Sequence, residues 1–152
     1  MERKMADKES PKNVLNRASK TFVFEGTVRF SDVDSNRHVN NSVYSTYCEE
    51  ATLHVFACGG VEALSSDKEP IAPVVRRAEY DYLGELRYGD AFRIESTIVF
   101  SKPTRGVLNH SVIRKSDGEC VCRCVSHGFW MNLDTNRPHR LSEKEIAVFL
   151  DD

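Results

Sequence analysis

The sequence predicts an α+β fold in which an antiparallel sheet of five to six strands wraps around one long central helix. A segment of about 16 residues has helical periodicity, and it follows a first strand-like segment. Four further strand-like segments come after it, joined by tight turns. A doubly wound α/β fold needs several helices, so a sheet packed on a single helix fits this order better.

The chain of 152 residues has the size of one domain and can bury a core without disulfides or metals. Residues 1–20 are polar and charged and predict a flexible N-terminal tail, so the single domain is expected over residues 21–152. The formal net charge of −2 does not favour nucleic-acid binding. No apolar run reaches the about 18 residues of a membrane span, and no secretory signal is evident.

The central helix is predicted between a turn-rich segment and a pair of glycines. Ser31–Asn40 is rich in Asp, Asn and Ser, which favour turns and helix caps. No Gly or Pro occurs from Val43 to Phe56, where apolar residues recur at helical spacing. Asn41 or Ser42 could cap the start of the helix, and Gly59-Gly60 would end it.

The strands are predicted from alternating apolar residues and from the turn residues between them. A short C-terminal helix over Leu141–Leu150 would follow the last strand, with Ser142 as its cap and Glu145 at the capping-box position. The predicted strands are Thr21–Phe30, Ala72–Leu83, Ala91–Ser101, Val107–Lys115 and Glu119–Leu133.

The five cysteines show no zinc-binding spacing. Cys120, Cys122 and Cys124 alternate with other residues and would share one face of the last strand. Small buried thiols fit this pattern best, with a redox or metal role as the alternative. The pattern favours the cytoplasm or another reducing compartment, such as an organelle, and no metal or cofactor is predicted.

The segment Phe30–Tyr44 carries the residues that predict chemistry. It places two carboxylates, an imidazole and three amides within about ten residues, directly before the helix. A helix N-terminus has unpaired N–H groups and about half a positive charge. Such an end can stabilise a developing oxyanion and favours the ionised form of a nearby Asp.

This segment resembles the hotdog-fold thioesterases. Its pattern D-x-D-x-N-x-H-V-N-N-x-x-Y is similar to that of plant acyl-ACP thioesterases and, more loosely, of 4-hydroxybenzoyl-CoA and bacterial acyl-CoA thioesterases. Weaker similarities at Tyr47–Ala51, Tyr82–Asp90 and Asp134–Leu141 extend the resemblance over residues 21–150. Gly84-Glu85 stands where the family often has Pro. The resemblance implies a hotdog fold and a hydrolase that cleaves acyl-CoA or acyl-ACP to a carboxylic acid and a thiol.

The resemblance also implies roles for individual residues. Asp34 takes the position of the catalytic acidic residue, as nucleophile or as general base, and both roles stay open. Asn36 and His38 match the catalytic Asn and His of the plant family. The backbone N–H groups of Asn40 and Asn41 would bind the thioester carbonyl. The acyl chain would enter between helix and sheet past Val43, Tyr44, Tyr47 and Tyr82.

Each of these assignments has a structural alternative. Asp34 could be only a turn or cap residue, His38 a structural histidine, and Asn36 a turn residue in the left-handed conformation. Asp32 fits a structural role better than a catalytic one. Three glutamates, on the helix and on or near the second strand, could also take part: Glu49, Glu79 and Glu85.

Two classes of function stay open. The first is the thioester hydrolase, and the second is a non-hydrolytic hotdog acyl-binding protein or a dehydratase-like enzyme. Dehydratases of this fold use a His–Asp or His–Glu pair that is placed differently, so Asp34 at the start of the helix favours hydrolysis.

The expected partners are the acyl-CoA or acyl-ACP substrate and further copies of the chain. One helix and one sheet leave the substrate groove incomplete, so the resemblance implies a homodimer or tetramer with active sites at the subunit interface. Phosphates of the carrier arm could meet Arg37, Arg76 and Arg77.

Overall fold

Eight helices and strands make up the part of the chain that this computed structural model describes, residues 13–60 and 70–150. A 3-10 turn at Phe30–Asp32 lies between the first strand and the first helix. The loop predicted before Pro70 falls on residues 61–69, outside the described residues. The elements are β1 (Phe22–Thr27), α1 (Asn41–Cys58), β2 (Ile71–Tyr82), β3 (Ala91–Lys102), β4 (Arg105–Arg114), β5 (Cys120–Asn132), β6 (Arg137–Pro138) and α2 (Glu143–Ala147).

All strands join one antiparallel sheet in the order β1-β3-β4-β5-β2, and β6 pairs with the end of β5. α1 packs against β1, β3 and β4. The prediction of five to six antiparallel strands around one long helix is therefore confirmed. β6 has only two residues, too few for a pattern of alternation to show in the sequence.

β1 is shorter than predicted. It ends at Thr27 rather than Phe30, because its partner strand β3 begins at Ala91, opposite Thr27. The Val28 N–H donates to the carbonyl of Asp90, just before β3, at 2.9 Å. The other long strands keep their predicted positions within about two residues, the usual uncertainty of element ends.

α1 begins at Asn41 and its N-cap is Asn40, so the predicted caps Asn41 and Ser42 were wrong. Asn40 has an extended backbone, and its Oδ1 accepts the Ser42 N–H at 2.9 Å. An N-cap side chain bonds to the N–H of the second or third helical residue, which is the contact that Asn40 makes. Gly59 is the C-cap, as the glycine pair predicted. No helix of the described residues is long and apolar enough to cross a membrane.

Residues 13–20 lie along β3 and do not form the flexible tail that was predicted. Val14 is buried in the core. The Ser19 N–H donates to the Ile98 carbonyl, and Ser19 Oγ accepts the Ile98 N–H, each at 2.9 Å. The tail prediction is thus wrong for residues 13–20, because buried Val14 anchors this otherwise polar stretch to the core. Its remaining residues 1–12 lie outside the described part of the chain, and the single domain over residues 21–152 stays a prediction.

The C-terminal helix is shorter than predicted but has the predicted cap. α2 covers Glu143–Ala147, and Ser142 Oγ accepts the Glu145 N–H at 3.1 Å. The flanking residues Phe149 and Leu150 are buried without being helical. Phe149 lies directly against Gly59, where a Cβ would collide with its ring, so the end of α1 needs glycine.

The core divides into two clusters along α1. The first surrounds the N-terminal half of the helix and includes Tyr44, Tyr47 and Ala51. The second surrounds its C-terminal half and α2, and includes Val55, Phe56, Trp130, Ile146 and Phe149. Both ends of α1 are therefore anchored, and a less apolar region lies between the clusters.

Candidate active site

The turn-rich segment before α1 folds into a tight hairpin, which we call the Asp34 loop (Val33–Asn40). Val33 and Val39 form an isolated antiparallel bridge at its base. Inside the bridge, the Asp34 N–H donates to the His38 carbonyl at 3.2 Å. Asp34 and His38 lie opposite each other in the hairpin, so both predicted residues are close to the N-terminal end of α1.

The Asp34 carboxylate is oriented by its own loop. One of its oxygens accepts the Asn36 N–H at 2.8 Å, which closes an Asx turn. Arg37 has a positive φ of 65° and donates its N–H to the Asp34 carbonyl at 3.0 Å. The left-handed residue is thus Arg37 and not Asn36. Within the described residues no hydrogen bond between two side chains joins Asp34, Asn36 and His38.

Asp32 anchors the loop to the core. It is only 3% exposed, and its carboxylate accepts the Tyr47 hydroxyl at 2.7 Å and the Arg29 N–H at 3.0 Å. Burial alone would raise the pKa of this carboxyl, but the hydrogen bonds from Arg29 and Tyr47 outweigh it and hold the pKa below its usual value. The two aspartates of the motif therefore differ in environment. Asp32 is buried and hydrogen-bonded to Tyr47, whereas the Asp34 carboxylate bonds to the backbone of its own loop.

The start of α1 offers a free backbone donor beside the loop. As the first helical residue, Asn41 has an N–H without an acceptor inside the helix. Asn40 places its side chain on Ser42, and the Tyr82 hydroxyl donates to the Asn41 carbonyl at 3.3 Å. The positive end of the helix dipole adds to this donor, so the position suits a carbonyl oxygen that gains negative charge.

His38 is held next to the chain that follows β2. Its Nε2 lies 3.7 Å from Oε2 of Glu85, and the neighbouring Val39 N–H donates to the Leu86 carbonyl at 2.7 Å. Hydrogen bonds from Arg87 to Glu85 lower the pKa of that carboxyl, so Glu85 is an anion beside the imidazole. The structure thus brings Glu85, one of the three candidate glutamates, close to a predicted site residue.

The predicted pocket residues lie around the start of α1, outside the lining of the cavity beneath the middle of the helix. Tyr44 and Tyr47 are buried in the first core cluster, and Val43 packs against it. Tyr82 is exposed, with its ring centroid 5.7 Å from that of Tyr44. The Tyr44 hydroxyl faces the backbone of Leu86 without a hydrogen bond of normal geometry, and burial raises the pKa of Tyr44 to about 12.

A cavity of about 330 Å³ lies beneath α1, between the helix and strands β2, β4 and β5. This volume is within the range of small-molecule sites. One helical stripe from Ser45 to Phe56 forms its roof. Its floor has small inward residues where a core would have large ones: Gly106, Cys124, Ser126 and Gly128. The cavity therefore exists because small side chains meet under the middle of α1.

The cavity residues of β4 and β5 were missed by the sequence analysis. The sequence predicted one shared face for Cys120, Cys122 and Cys124, but not that this face continues through Ser126 and Gly128 or that its small side chains leave room. A run of small residues on the inward face of a strand opposite a helix is the signal that could have found them. Glu49 does line the cavity, whereas Glu79 pairs with Arg77 on the exposed face of β2.

His110 is the buried polar centre of the cavity wall, at 2% exposure. The Thr52 hydroxyl donates to the Cys48 carbonyl at 2.8 Å, so it must accept the His110 Nε2–H at 3.1 Å. The neutral ring then accepts the Ser96 hydroxyl at Nδ1, at 2.7 Å. Burial lowers the pKa of His110 to about 4, which agrees with a ring that stays neutral.

Two thiols and a phenol meet beside His110. Cys48 and Tyr80 adjoin Cys124, and their interaction with its sulfur lowers the pKa of the Cys124 thiol although burial opposes this shift. Cys122 and Cys124 are buried and free, as the alternation in β5 predicted, and Cys120 is half-buried. Among the described residues no group of three His, Cys, Asp or Glu side chains could hold a metal ion.

Comparison with protein families gives one match that covers most of the chain. The model of the thioesterase-like superfamily matches residues 28–149. A curated relative, a chloroplastic acyl-acyl carrier protein thioesterase of Arabidopsis thaliana, is 22% identical over 123 residues. The matched region is 81% of the chain and 64% of the relative, so the chain spans less than two thirds of that protein's length.

Solved structures share the fold. A 1,4-dihydroxy-2-naphthoyl-CoA thioesterase from Synechocystis superposes with a TM-score of 0.75 at 17% identity, over 85% of this chain and 95% of that one. A hypothetical protein from Staphylococcus aureus, solved in complex with CoA, superposes with a TM-score of 0.76 at 19% identity, over 86% and 84% of the two chains. The predicted hotdog fold is confirmed by these similarities.

Proposed function

Because the chain belongs to the thioesterase-like superfamily, we propose that it hydrolyses acyl thioesters at the start of α1. The observation that carries the proposal is the position of Asp34. Its hairpin ends at the N-cap of α1, and Asn41 offers an unpaired N–H there. A carboxylate and an oxyanion donor at one helix end are the two groups that acyl transfer requires.

The proposed reaction uses the loop as follows. The thioester carbonyl oxygen accepts the Asn41 N–H, with Asn40 adjoining, and its negative charge grows as the carbon is attacked. Asp34 either attacks the carbon itself or removes a proton from the attacking water. If Asp34 activates the water, the water oxygen bonds to the carbon, the C–S bond breaks and the thiolate takes up the proton that the water lost. If Asp34 attacks, the C–S bond breaks to leave a mixed anhydride of Asp34 and the acyl group, which water then hydrolyses to the carboxylic acid and the free carboxylate. Asn36 and His38 would position the water or the carbonyl.

Glu85 gives His38 a defined role in this scheme. A carboxylate 3.7 Å from Nε2 favours the ring orientation in which that nitrogen faces Glu85. We propose that the pair orients His38 towards the attacking water. Glu85 would then act through His38, as a positioning residue.

The proposal names the carrier of the acyl group only by its chemical class. Structural neighbours are named for a CoA thioester or contain CoA, and the curated relative is named for acyl carrier protein, so we propose a carrier with a phosphopantetheine arm. Arg37 lies in the Asp34 loop, and Arg76 and Arg77 lie on the exposed part of β2. These side chains are candidates for the phosphates.

The acyl group would extend into the cavity beneath α1. Ser45, the first residue of the cavity roof, lies four residues after Asn41 and therefore on the same helix face. The cavity thus begins one helical turn from the proposed oxyanion donor. We propose it as the acyl site, with Tyr44 and Tyr47 supporting the helix from the core.

Assembly would complete the site. β2 is an edge strand, so its outer backbone groups have no partner strand among the described residues, and Val75 on it is 59% exposed. An exposed edge of this length favours pairing with another strand. We propose a homodimer, or a tetramer of two dimers, in which the second copy covers this edge and the open side of the cavity.

The test is thiol release from a panel of acyl-CoA and acyl-ACP substrates by wild type, Asp34→Ala and Asp34→Asn. The Asn variant can still accept the Asn36 N–H, so it keeps the Asx turn but removes the carboxylate. Both variants should lose activity by at least about 100-fold, the usual contribution of a catalytic acid or base. Asp134→Ala, in an exposed turn, is the matched control and should retain wild-type activity.

Two outcomes would count against the proposal. Absence of thiol release by wild type from every substrate would exclude hydrolysis and leave an acyl-binding protein. Full activity in Asp34→Asn would show that the carboxylate has no chemical role, although the fold would stand.

A further inference from the structure

A row of polar side chains crosses the sheet beneath the middle of α1. The strand register aligns Tyr80, Cys124, His110 and Ser96 on four neighbouring strands. Cys48 and Thr52, one helical turn apart on α1, lie over this row and bond to it. Cys124 belongs to the first core cluster and Tyr80 packs against it, while Leu108 and Ile98 of the next row belong to the second. The polar groups of the row therefore line the cavity where the two clusters meet.

The side-chain protons of Thr52, His110 and Ser96 already take part in hydrogen bonds within the protein. Thr52 donates to the Cys48 carbonyl, His110 donates to Thr52, and Ser96 donates to His110. Thr52 and Tyr80 both line the cavity and keep oxygen lone pairs that can accept a further proton. The row itself therefore offers acceptors to a bound molecule.

Ser126 supplies the missing donor. It lies one row further along β5, between Ala78 and Leu108, and it lines the cavity at only 8% exposure. Its hydroxyl makes no hydrogen bond with the described residues and, as part of the cavity lining, is accessible to a molecule in the cavity. The cavity lining thus combines an available donor, Ser126, with available acceptors, Thr52 and Tyr80, and an oxygen-bearing ligand could bond to both kinds of group.

The position of Ser126 determines how far along α1 the ligand oxygen must lie. His110 bonds to Thr52, and Trp130 packs on Phe56 at 4.7 Å, so Ser126 lies between these two turns of α1. Thr52 and Phe56 are 11 and 15 residues past Asn41, or about 16 to 22 Å along the axis at 1.5 Å per residue. With C–C bonds of about 1.5 Å at tetrahedral angles, an extended chain reaches this depth after about 13 to 18 carbons.

We propose that the cavity selects acyl chains whose far end carries a hydroxyl or another hydrogen-bonding oxygen, with Ser126 as the residue that binds it. The inference rests on the proposed function for the position of the thioester, at Asn41. The ligand oxygen accepts the Ser126 proton, and a ligand hydroxyl donates to Thr52 or Tyr80. A plain methyl end would instead leave the Ser126 hydroxyl buried and unpaired.

The size of the preference follows from that unpaired hydroxyl. Leaving a buried hydroxyl without a partner is unfavourable, so the oxygenated chain should be favoured by about 10-fold, which corresponds to about 1.4 kcal/mol. Chains too short to reach Ser126 should show no such preference.

The experiment compares kcat/KM for matched thioesters. We expect ω-hydroxyhexadecanoyl-CoA to exceed hexadecanoyl-CoA by about 10-fold, and ω-hydroxyoctanoyl-CoA to equal octanoyl-CoA. β-Hydroxyhexadecanoyl-CoA, with its oxygen near the thioester, should gain nothing over hexadecanoyl-CoA. Ser126→Ala should reduce the ω-hydroxy preference to about 1, and Ser126→Thr, which keeps a hydroxyl, should restore most of it. Ser111→Ala, on the neighbouring strand and the opposite face, is the control.

Calorimetric binding of the free acids keeps this test separate from that of hydrolysis. ω-Hydroxyhexadecanoic acid should bind wild type about 10-fold more tightly than hexadecanoic acid, whether or not any thioester is cleaved. Equal binding of the two acids, or a preference that survives Ser126→Ala, would overturn the inference. A binding preference without thiol release would instead overturn only the proposed hydrolysis.

Discussion

The Asp34 loop and the cavity beneath α1 are built in opposite ways. The loop holds its shape mainly by bonds between residues close in sequence, such as Asp34 with Asn36 and with His38, and the Val39 N–H joins it to the Leu86 carbonyl after β2. The cavity is enclosed by residues from α1 and several strands, from Ser45 to Trp130 in the sequence. Reactive groups are therefore set locally, whereas the space and polarity available to the substrate depend on the whole fold.

This difference predicts that pH acts on the two regions differently, with the largest effect on the cavity wall. Burial lowers the pKa of His110 from its ordinary value of 6.5 to about 4. Below pH 6.5 the unfolded chain binds a proton that the folded chain does not, so the free energy of unfolding falls until about pH 4. The difference between these pKa values corresponds to about 3 kcal/mol.

Denaturant titrations at pH 7, 5.5 and 4 would measure this loss of stability. His110→Gln should remove about 3 kcal/mol of the pH dependence, whatever its effect at neutral pH. Ser96→Ala removes one bond to the ring but leaves the titrating group, so it should lower stability by about 1 kcal/mol and keep the slope. An unchanged slope in His110→Gln would show that the buried ring is not the source.

The second prediction concerns the space in the cavity. Ser126→Leu adds three carbons to a void and should exclude about three methylenes of a long acyl chain, at about 0.8 kcal/mol each. kcat/KM for hexadecanoyl-CoA should then fall by about 50-fold relative to octanoyl-CoA. A parallel loss for both chain lengths would mean that the acyl group lies elsewhere, and Ser111→Leu on the outer face controls for general damage.

Sequence reasoning was successful where the signal is local. The period of α1, the alternation in β3 and β5 and the turn glycines are contiguous patterns, and so is the motif from Asp32 to Tyr44. The cap of α1 was misplaced by one or two residues because Asn40, Asn41 and Ser42 are all good cap residues, and only backbone geometry selects Asn40.

The cavity could not be predicted in the same way. His110, Thr52 and Ser96 become neighbours only through strand register and the packing of α1. Tyr44 and Tyr47 follow the motif directly and were therefore expected in the pocket. Their helical positions instead turn them into the first core cluster, where Ala51 and Ile94 are also buried.

The third prediction separates the two tyrosines by their hydroxyl groups. Tyr47 donates to the buried Asp32 carboxylate, so Tyr47→Phe should cost about 2 kcal/mol of stability, as expected for a hydrogen bond to a charged group. Tyr44→Phe is the matched control, since the Tyr44 hydroxyl is buried without a partner among the described residues. It should be neutral or slightly stabilising. Equal losses in urea unfolding of the two variants would contradict this assignment.

The smallest expected effect tests whether the Asp34 loop and the cavity act independently. Asn40→Ala removes the side chain that caps α1 and should cost about 1 kcal/mol, whereas Asn40→Asp keeps a cap oxygen and should cost little. Unfolding curves would give both values. Because the cap also fixes the angle at which the loop meets the helix, kcat should fall in Asn40→Ala for short and long acyl chains alike. A chain-length-dependent loss would instead couple the loop to the cavity, and the two regions would then act as one unit.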